Sequence, residues 1–179
     1  MPASSLEILQ IGNPRLRILA EPIAEPTDPV LQTFIDDLLR EMHQANGVGI
    51  AAPQVGRSLQ LVIIASRPNP RYPNAPAMDP LPMLNPRIVS HSSTLEKGWE
   101  GCLSVPGIRG LVPRYTAIDV EYLDRQGQPQ QQTFHDFVAR IFQHEYDHLQ
   151  GIVFIDRVES TYELMSDAEY RRQILRLDP

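Results

Sequence analysis

The sequence predicts an α+β chain, on three observations. Two long stretches repeat apolar residues at helical spacing, and each closes on a glycine. Between them lie shorter apolar and β-branched segments of strand length. Two such segments flank Arg125-Gln126-Gly127-Gln128, which reads as a hairpin turn joining neighbouring antiparallel strands.

Taken in order, residues 6–26 carry Pro14, Pro22 and Pro26 and read as an irregular arm with short extended pieces. Asp28 is the expected N-cap of the first helix, and Pro29 suits its first position. Val30, Leu31, Phe34, Leu38 and Met42 form its apolar stripe and are assigned to the core, with Asn46-Gly47 ending the helix. Residues 47–56 are mostly small, which lets backbone approach a ligand closely. They follow a helix, precede a strand and lack the Lys-Ser/Thr pair of a phosphate loop, so phosphate binding is excluded.

A strand is expected from Leu59 to Ala65. Residues 66–82 hold Pro68, Pro70, Pro73, Pro76, Pro80 and Pro82 and read as a stiff surface loop, with strand pattern resuming over Met83 to Val89. Thr116 to Leu123 and Pro129 to Phe134 are the arms of the hairpin. Asp136 to Gln150 is the second helix. Phe137, Ile141, His144 and His148 share one side, Phe142 and Leu149 widen it, and Gly151 closes it. A third helix is expected over Ser166 to Leu177.

Composition narrows the function. A chain of 179 residues with 42% hydrophobic and 21% charged residues suits one globular domain, assigned to residues 1–179. A net charge of −6 disfavours nucleic acid or an anionic membrane as partner. No apolar run approaches the roughly 20 residues of a membrane helix. Met1 to Ser5 has neither the basic start nor the apolar stretch of a signal peptide, and the single cysteine fits a reducing cytoplasm.

The chemistry sits in His144-Glu145-Tyr146-Asp147-His148. Histidines at i and i+4 of a helix reach one metal ion, and Glu145, offset by one residue, flanks them as a candidate base. Cys102, in Glu100-Gly101-Cys102-Leu103-Ser104, is the candidate third ligand. One thiolate and two imidazoles leave a coordination position open, as in catalytic rather than structural sites, and suit zinc or ferrous iron equally on sequence grounds. Glu100 and Asp147 are candidates to orient the imidazoles. Gln54 and the Leu103 N–H are candidate donors to an oxyanion. His43, His91 and His135 lack ligand spacing and read as surface or locally bonded residues. A metallopeptidase with the same helix pattern usually takes its third ligand downstream, but no His or Glu follows His148 before Glu159. A protein holding metal only for stability would not need Glu145.

Three segments in order resemble the peptide deformylase family. Gly47-Val48-Gly49-Ile50-Ala51-Ala52-Pro53-Gln54 is similar to its G-x-G-[LI]-A-A-x-Q motif. Residues 100–104 match its E-G-C-L-S, and His144 to Leu149 its H-E-x-D-H-L. The similarity runs from Ile8 to about Val158. It implies removal of the formyl group from the N-terminal methionine of nascent chains at the ribosome. The implied fold has antiparallel sheets packed around the histidine helix. The implied metal ligands are Cys102, His144 and His148, with Fe2+ as the usual ion and Zn2+, Ni2+ or Co2+ as substitutes. Glu145 would be the general base, with Gln54 and the Leu103 backbone stabilising the tetrahedral species. Gly49 would contact the peptide backbone, Val48, Phe137 and Ile141 would line the methionine pocket, and Arg109 would stand near the substrate cleft. The chain departs from the pattern at Asp136, where many members have glycine, and at Arg140, where some have an aliphatic residue and which is therefore not assigned to the pocket.

Overall fold

A computed structural model describes residues 6–69 and 72–177. The reading of Met1 to Ser5, and Pro70 within the proline-rich stretch, lie outside the described residues.

The first helix, α1 (Pro29–Gln44), begins as its sequence dictates: the Asp28 carboxylate accepts the Val30 N–H, and Pro29 has no N–H to orphan. It ends where Asn46 enters the left-handed region at φ 53°. Its stripe needs one correction. Val30 is 65% exposed, whereas Ile35, outside the predicted set, is fully buried, because the buried face is centred on Leu31, Ile35, Leu38 and Met42.

Strands β1 (Gly49–Ala51), β2 (Leu61–Ser66), β3 (Met78–His91), β6 (Ala117–Leu123) and β7 (Pro129–His135) form an antiparallel sheet in the order β1-β2-β3-β6-β7. Every residue of β2 is buried, because α1 covers one face and α2 (Asp136–Leu149) the other. Alternation sorts the side chains: Leu61, Ile63 and Leu84 pack toward α1, and Val62, Ile64 and Met83 toward α2. The hairpin turn forms as expected, with Gly127 at φ 75°.

The resemblance implies more than one sheet, but the strands of the second were not singled out in the sequence. Strands β4 (Leu95–Cys102), β5 (Val105–Tyr115) and β8 (Leu164–Ser166) lie in the order β4-β5-β8, also antiparallel. Helix α2 therefore contacts both sheets, and a small cluster of Cys102, Val105, Val112 and Phe154 forms the core on this flank.

Two further expectations change. The proline-rich stretch is not all loop, since β3 already begins at Met78 and contains Pro80 and Pro82. At Pro82 the strand pairs with Ile63 of β2, and β6 joins only from Leu84, so the missing N–H can face an unpaired side. The last helix is short: α3 (Asp167–Gln173) is capped by Ser166, whose side chain accepts the Glu169 N–H. The N-terminal arm contains a 3-10 turn at Pro14–Arg17 and stitches the molecule together. The Leu9 N–H bonds the Gln54 carbonyl and the Ile11 N–H bonds the Ser104 carbonyl, joining the two segments that flank the site.

Candidate metal centre

Helix α2 delivers His144 and His148 to its buried side, and the end of β4 delivers Cys102. One ligand atom from each of the three falls within 4.8 Å of the others. Cys102 Sγ lies 3.3 Å from His148 Nε2 and accepts the Ser104 N–H at the same distance. The thiol and imidazole donors fit a transition metal. His144 turns Nδ1 onto Glu100 Oε2 at 2.9 Å, which leaves Nε2 facing the sulfur side. His148 Nδ1 is buried and has no hydrogen-bond partner among the described residues.

Glu100 is the hub of a buried charge network. Arg114 bonds both its oxygens at 2.9 and 3.0 Å, and Arg140 adds a third contact at 3.0 Å. Burial alone would raise the Glu100 carboxyl, but the Arg114 guanidinium and the His144 bond hold it well below the usual carboxylate range. Asp147 does not orient an imidazole directly. It takes Arg114 Nη1 at 2.6 Å and Arg157 Nη2 at 2.7 Å, so it acts on His144 only through Arg114 and Glu100. Burial raises the Cys102 thiol, yet the His148 and His144 rings outweigh it and favour the thiolate.

Glu145 is 4% exposed, and its Oε2 has no partner among the described residues. Burial pushes its carboxyl up to about 7, against the opposing pull of both histidines. Gly49 makes room for it, because a Cβ there would collide with Glu145 Oε1. Gln54 is fixed by its own backbone. Its Oε1 accepts the Ala51 N–H at 2.8 Å, which aims Nε2 at Ser104 Oγ (3.2 Å) and Cys102 Sγ (3.5 Å).

A cleft opens onto this cluster. Of the residues singled out in the sequence, Val48, Gly49, Gln54, Glu100, Cys102, Leu103, Phe137, Ile141, His144 and Glu145 line it. His148 lies behind, against Cys102. Arg109 does not line it. Its guanidinium is buried one layer back, where Gly101 has no Cβ to exclude it. Arg140, left out of the pocket on sequence grounds, does line it: its guanidinium takes the room that a Gly98 Cβ would occupy and bonds the carbonyls of Glu96 and Val112. Tyr72 and Trp99 also line the cleft without having been singled out. Their only sequence signal is an aromatic residue amid prolines and a lone tryptophan beside the Glu100–Ser104 motif. Arg114 had none, since its partners are 14 and 33 residues away. Among the remaining histidines, His135 is exposed, and His91 stacks on Tyr115 at 3.7 Å between ring centroids.

The family model described as polypeptide deformylase matches residues 5–163. Peptide deformylase 2 of Nostoc sp. is 59% identical over 169 residues, covering 94% of each chain. A class I type b peptide deformylase from Acinetobacter baumannii, solved with Met-Ala-Ser bound, superposes with a TM-score of 0.85 at 44% identity, covering 87% of this chain and 99% of that one. A peptide deformylase from Synechococcus elongatus, solved with actinonin, gives 0.80 at 36% identity, covering 91% of this chain and 84% of that one.

Proposed function

The chain belongs to the polypeptide deformylase family, and from that premise we propose how its residues divide the work of the reaction. The activity is hydrolysis: the formyl group is removed from the N-terminal methionine of nascent polypeptides, with release of formate, by a metal-dependent enzyme. Cys102, His144 and His148 hold the metal, which we take to be Fe2+, with Zn2+, Ni2+ or Co2+ able to replace it. When bound there, the metal supplies Lewis acidity toward the formyl carbonyl and the attacking water. The observation that carries this assignment is the convergence of three ligand atoms within 4.8 Å, with the unpaired Glu145 carboxylate beside them.

Glu145 accepts the proton of the attacking water and returns it to the departing amine. A carboxyl raised to about 7 by burial suits both steps near neutral pH. Gln54 Nε2 keeps one hydrogen on Ser104 and turns the other from the sulfur toward the developing oxyanion, joined by the Leu103 N–H. Glu100, held anionic by Arg114, keeps the His144 ring in the tautomer that presents Nε2. Gly49 offers backbone to the peptide, and Val48, Phe137 and Ile141 wall the methionine side chain. Arg109 stands one layer behind the cleft, against Gly101. The Met-Ala-Ser bound to the Acinetobacter baumannii enzyme supports a methionyl peptide as the kind of ligand this chain takes.

All of residues 1–179 form one catalytic domain in this reading. The substrates are formyl-methionyl chains emerging from the ribosome. The compartment is the cytoplasm, where Cys102 stays reduced. Among the described residues no helix is long and apolar enough to cross a membrane.

The test is formate release from formyl-Met-Ala-Ser by protein purified without oxygen, with metal content measured on the same sample. Glu145→Ala should keep its metal and lose on the order of 10³-fold in kcat. Cys102→Ala should lose the metal. Turnover surviving in Glu145→Ala would remove that residue as base, and metal retained in Cys102→Ala would break the ligand assignment.

A further inference from the structure

Resting on the deformylase reading, we propose that Tyr72 is a specificity-determining residue of the cleft, and that α3 holds it there through Arg109. Tyr72 sits on the proline-rich stretch, which the assigned roles leave without a task. Its ring lies 5.2 Å from that of Phe137 at an interplanar angle of 57°, so the two rings form one aromatic wall. Its hydroxyl accepts the Gly101 N–H at 3.3 Å and donates to the Gly101 carbonyl at 3.4 Å, one residue before Cys102. Tyr72 itself is pinned. Backbone bonds run both ways between Asn69 and Tyr72, the Asn69 side chain accepts the Tyr72 N–H, and Ala75 N–H bonds the Tyr72 carbonyl. Paired aromatic faces suit the unbranched, polarisable thioether of a first-residue methionine.

Behind the wall, the Arg109 guanidinium lies between two rings, 5.2 Å from the Tyr72 centroid and 4.9 Å from that of Tyr170 on α3. Its Nε donates to Asp167, the first residue of α3, at 2.6 Å. Arg109 is 3% exposed, and its Nη1 has no hydrogen-bond partner among the described residues, so the Asp167 carboxylate and the two ring faces together compensate for its burial. Register reinforces the link, because Arg109 of β5 pairs with Met165 of β8 immediately before α3. Trp99, another lining residue, packs edge-on against Tyr170 at 5.8 Å. The C-terminal helix thus reaches the cleft from two sides of Tyr170.

The experiment compares kcat and KM of metal-loaded protein for formyl-Met-Ala-Ser and formyl-Ala-Ala-Ser. For the methionine peptide, Tyr72→Ala should raise KM about tenfold with kcat within about twofold, the loss expected for one buried ring contact. The preference for methionine over alanine in kcat/KM should narrow by a similar factor, while Tyr72→Phe keeps most of it. Asp167→Asn, a substitution at an exposed carboxylate, should raise KM in the same direction by about threefold with metal content unchanged, as loss of one charge-assisted bond predicts. Tyr72→Leu, which keeps apolar bulk without a ring, is measured beside Tyr72→Ala, so that a folding defect in the smaller variant cannot imitate the effect. An unchanged preference in Tyr72→Ala and Tyr72→Leu overturns the specificity role. Parent-like kinetics in Asp167→Asn overturn the role of α3. An inactive metal-loaded parent overturns the deformylase reading instead, which keeps the two failures apart.

Discussion

Asp136 adopts φ 48° where the chain turns into the helix that bears both histidines. A side chain in that region costs about 1–2 kcal/mol, less for Asp and Asn, whereas glycine enters it freely. Asp136 also places a negative charge at the helix start, a gain of about 0.3–1 kcal/mol. The strain outweighs that gain, so Asp136→Gly should raise stability by up to about 1 kcal/mol and Asp136→Val should lower it by more than that. Denaturant midpoints at constant slope would check this, and a glycine variant less stable than the parent would refute the ranking. At this scale the sequence was legible where chemistry is local. His144, Glu145 and His148 share one helical turn, and Cys102 is unique in the chain. Tyr72, Arg114 and Arg140 were not legible, because each acquires its role from a partner on another element, and no spacing along the chain encodes that.

Among elements, the two long helices announced themselves through a 3.6-residue period and their caps, β6 through apolar alternation, β2 through a short continuous apolar run, and β7 only as the return arm of the Gly127 hairpin. Strands β4 and β5 did not, for a physical reason. Their inward positions include Glu100, Arg109 and Arg114, buried as ion pairs, and Gly98, Gly101, Gly107 and Gly110 interrupt what alternation remains. A sheet that hides charge reads as a loop. The joint between the N-terminal arm and the segment after α2 depends on charge in the same way. Asp156 pairs with Arg17 and accepts the Val153 N–H at 2.9 Å. Burial raises its carboxyl, but the Arg17 and Val153 bonds, with the charges of Arg17 and Arg157, together outweigh that and hold it below the ordinary value. A depressed carboxylate stabilises the fold above its unfolded pKa of about 3.9 and loses that contribution as pH falls through the lower folded value. Both side chains are more than a third exposed, so Asp156→Asn should cost under about 1 kcal/mol, roughly 2 °C in Tm, near pH 7. The gap to the parent should close as pH drops below about 4. A gap independent of pH would mean that the charge does not hold this joint.

At the scale of the whole molecule, the proposed ligand set would also be a crosslink. Cys102 comes from the second sheet, while His144 and His148 come from the helix packed between the two sheets. The segments on either side are joined by the N-terminal arm through Leu9 and Ile11. A metal bound by all three ligands is held only when these parts are assembled, so it binds the folded chain and not the unfolded one. Linkage then sets the size of the effect: at a free metal concentration about 100 times Kd, folding gains about 2.7 kcal/mol. For a chain of this length that corresponds to a rise in Tm of about 5–10 °C. Removing the metal by chelation should lower Tm by that amount and leave the far-ultraviolet spectrum native, because the cores around β2 and the buried Glu100–Arg114–Asp147 network do not use the metal. Cys102→Ala should melt at one temperature whether metal is supplied or chelated. Parent protein that melts at the same temperature loaded and stripped would show that the site contributes nothing to holding helix and sheet together. The metal's part would then be confined to the reaction.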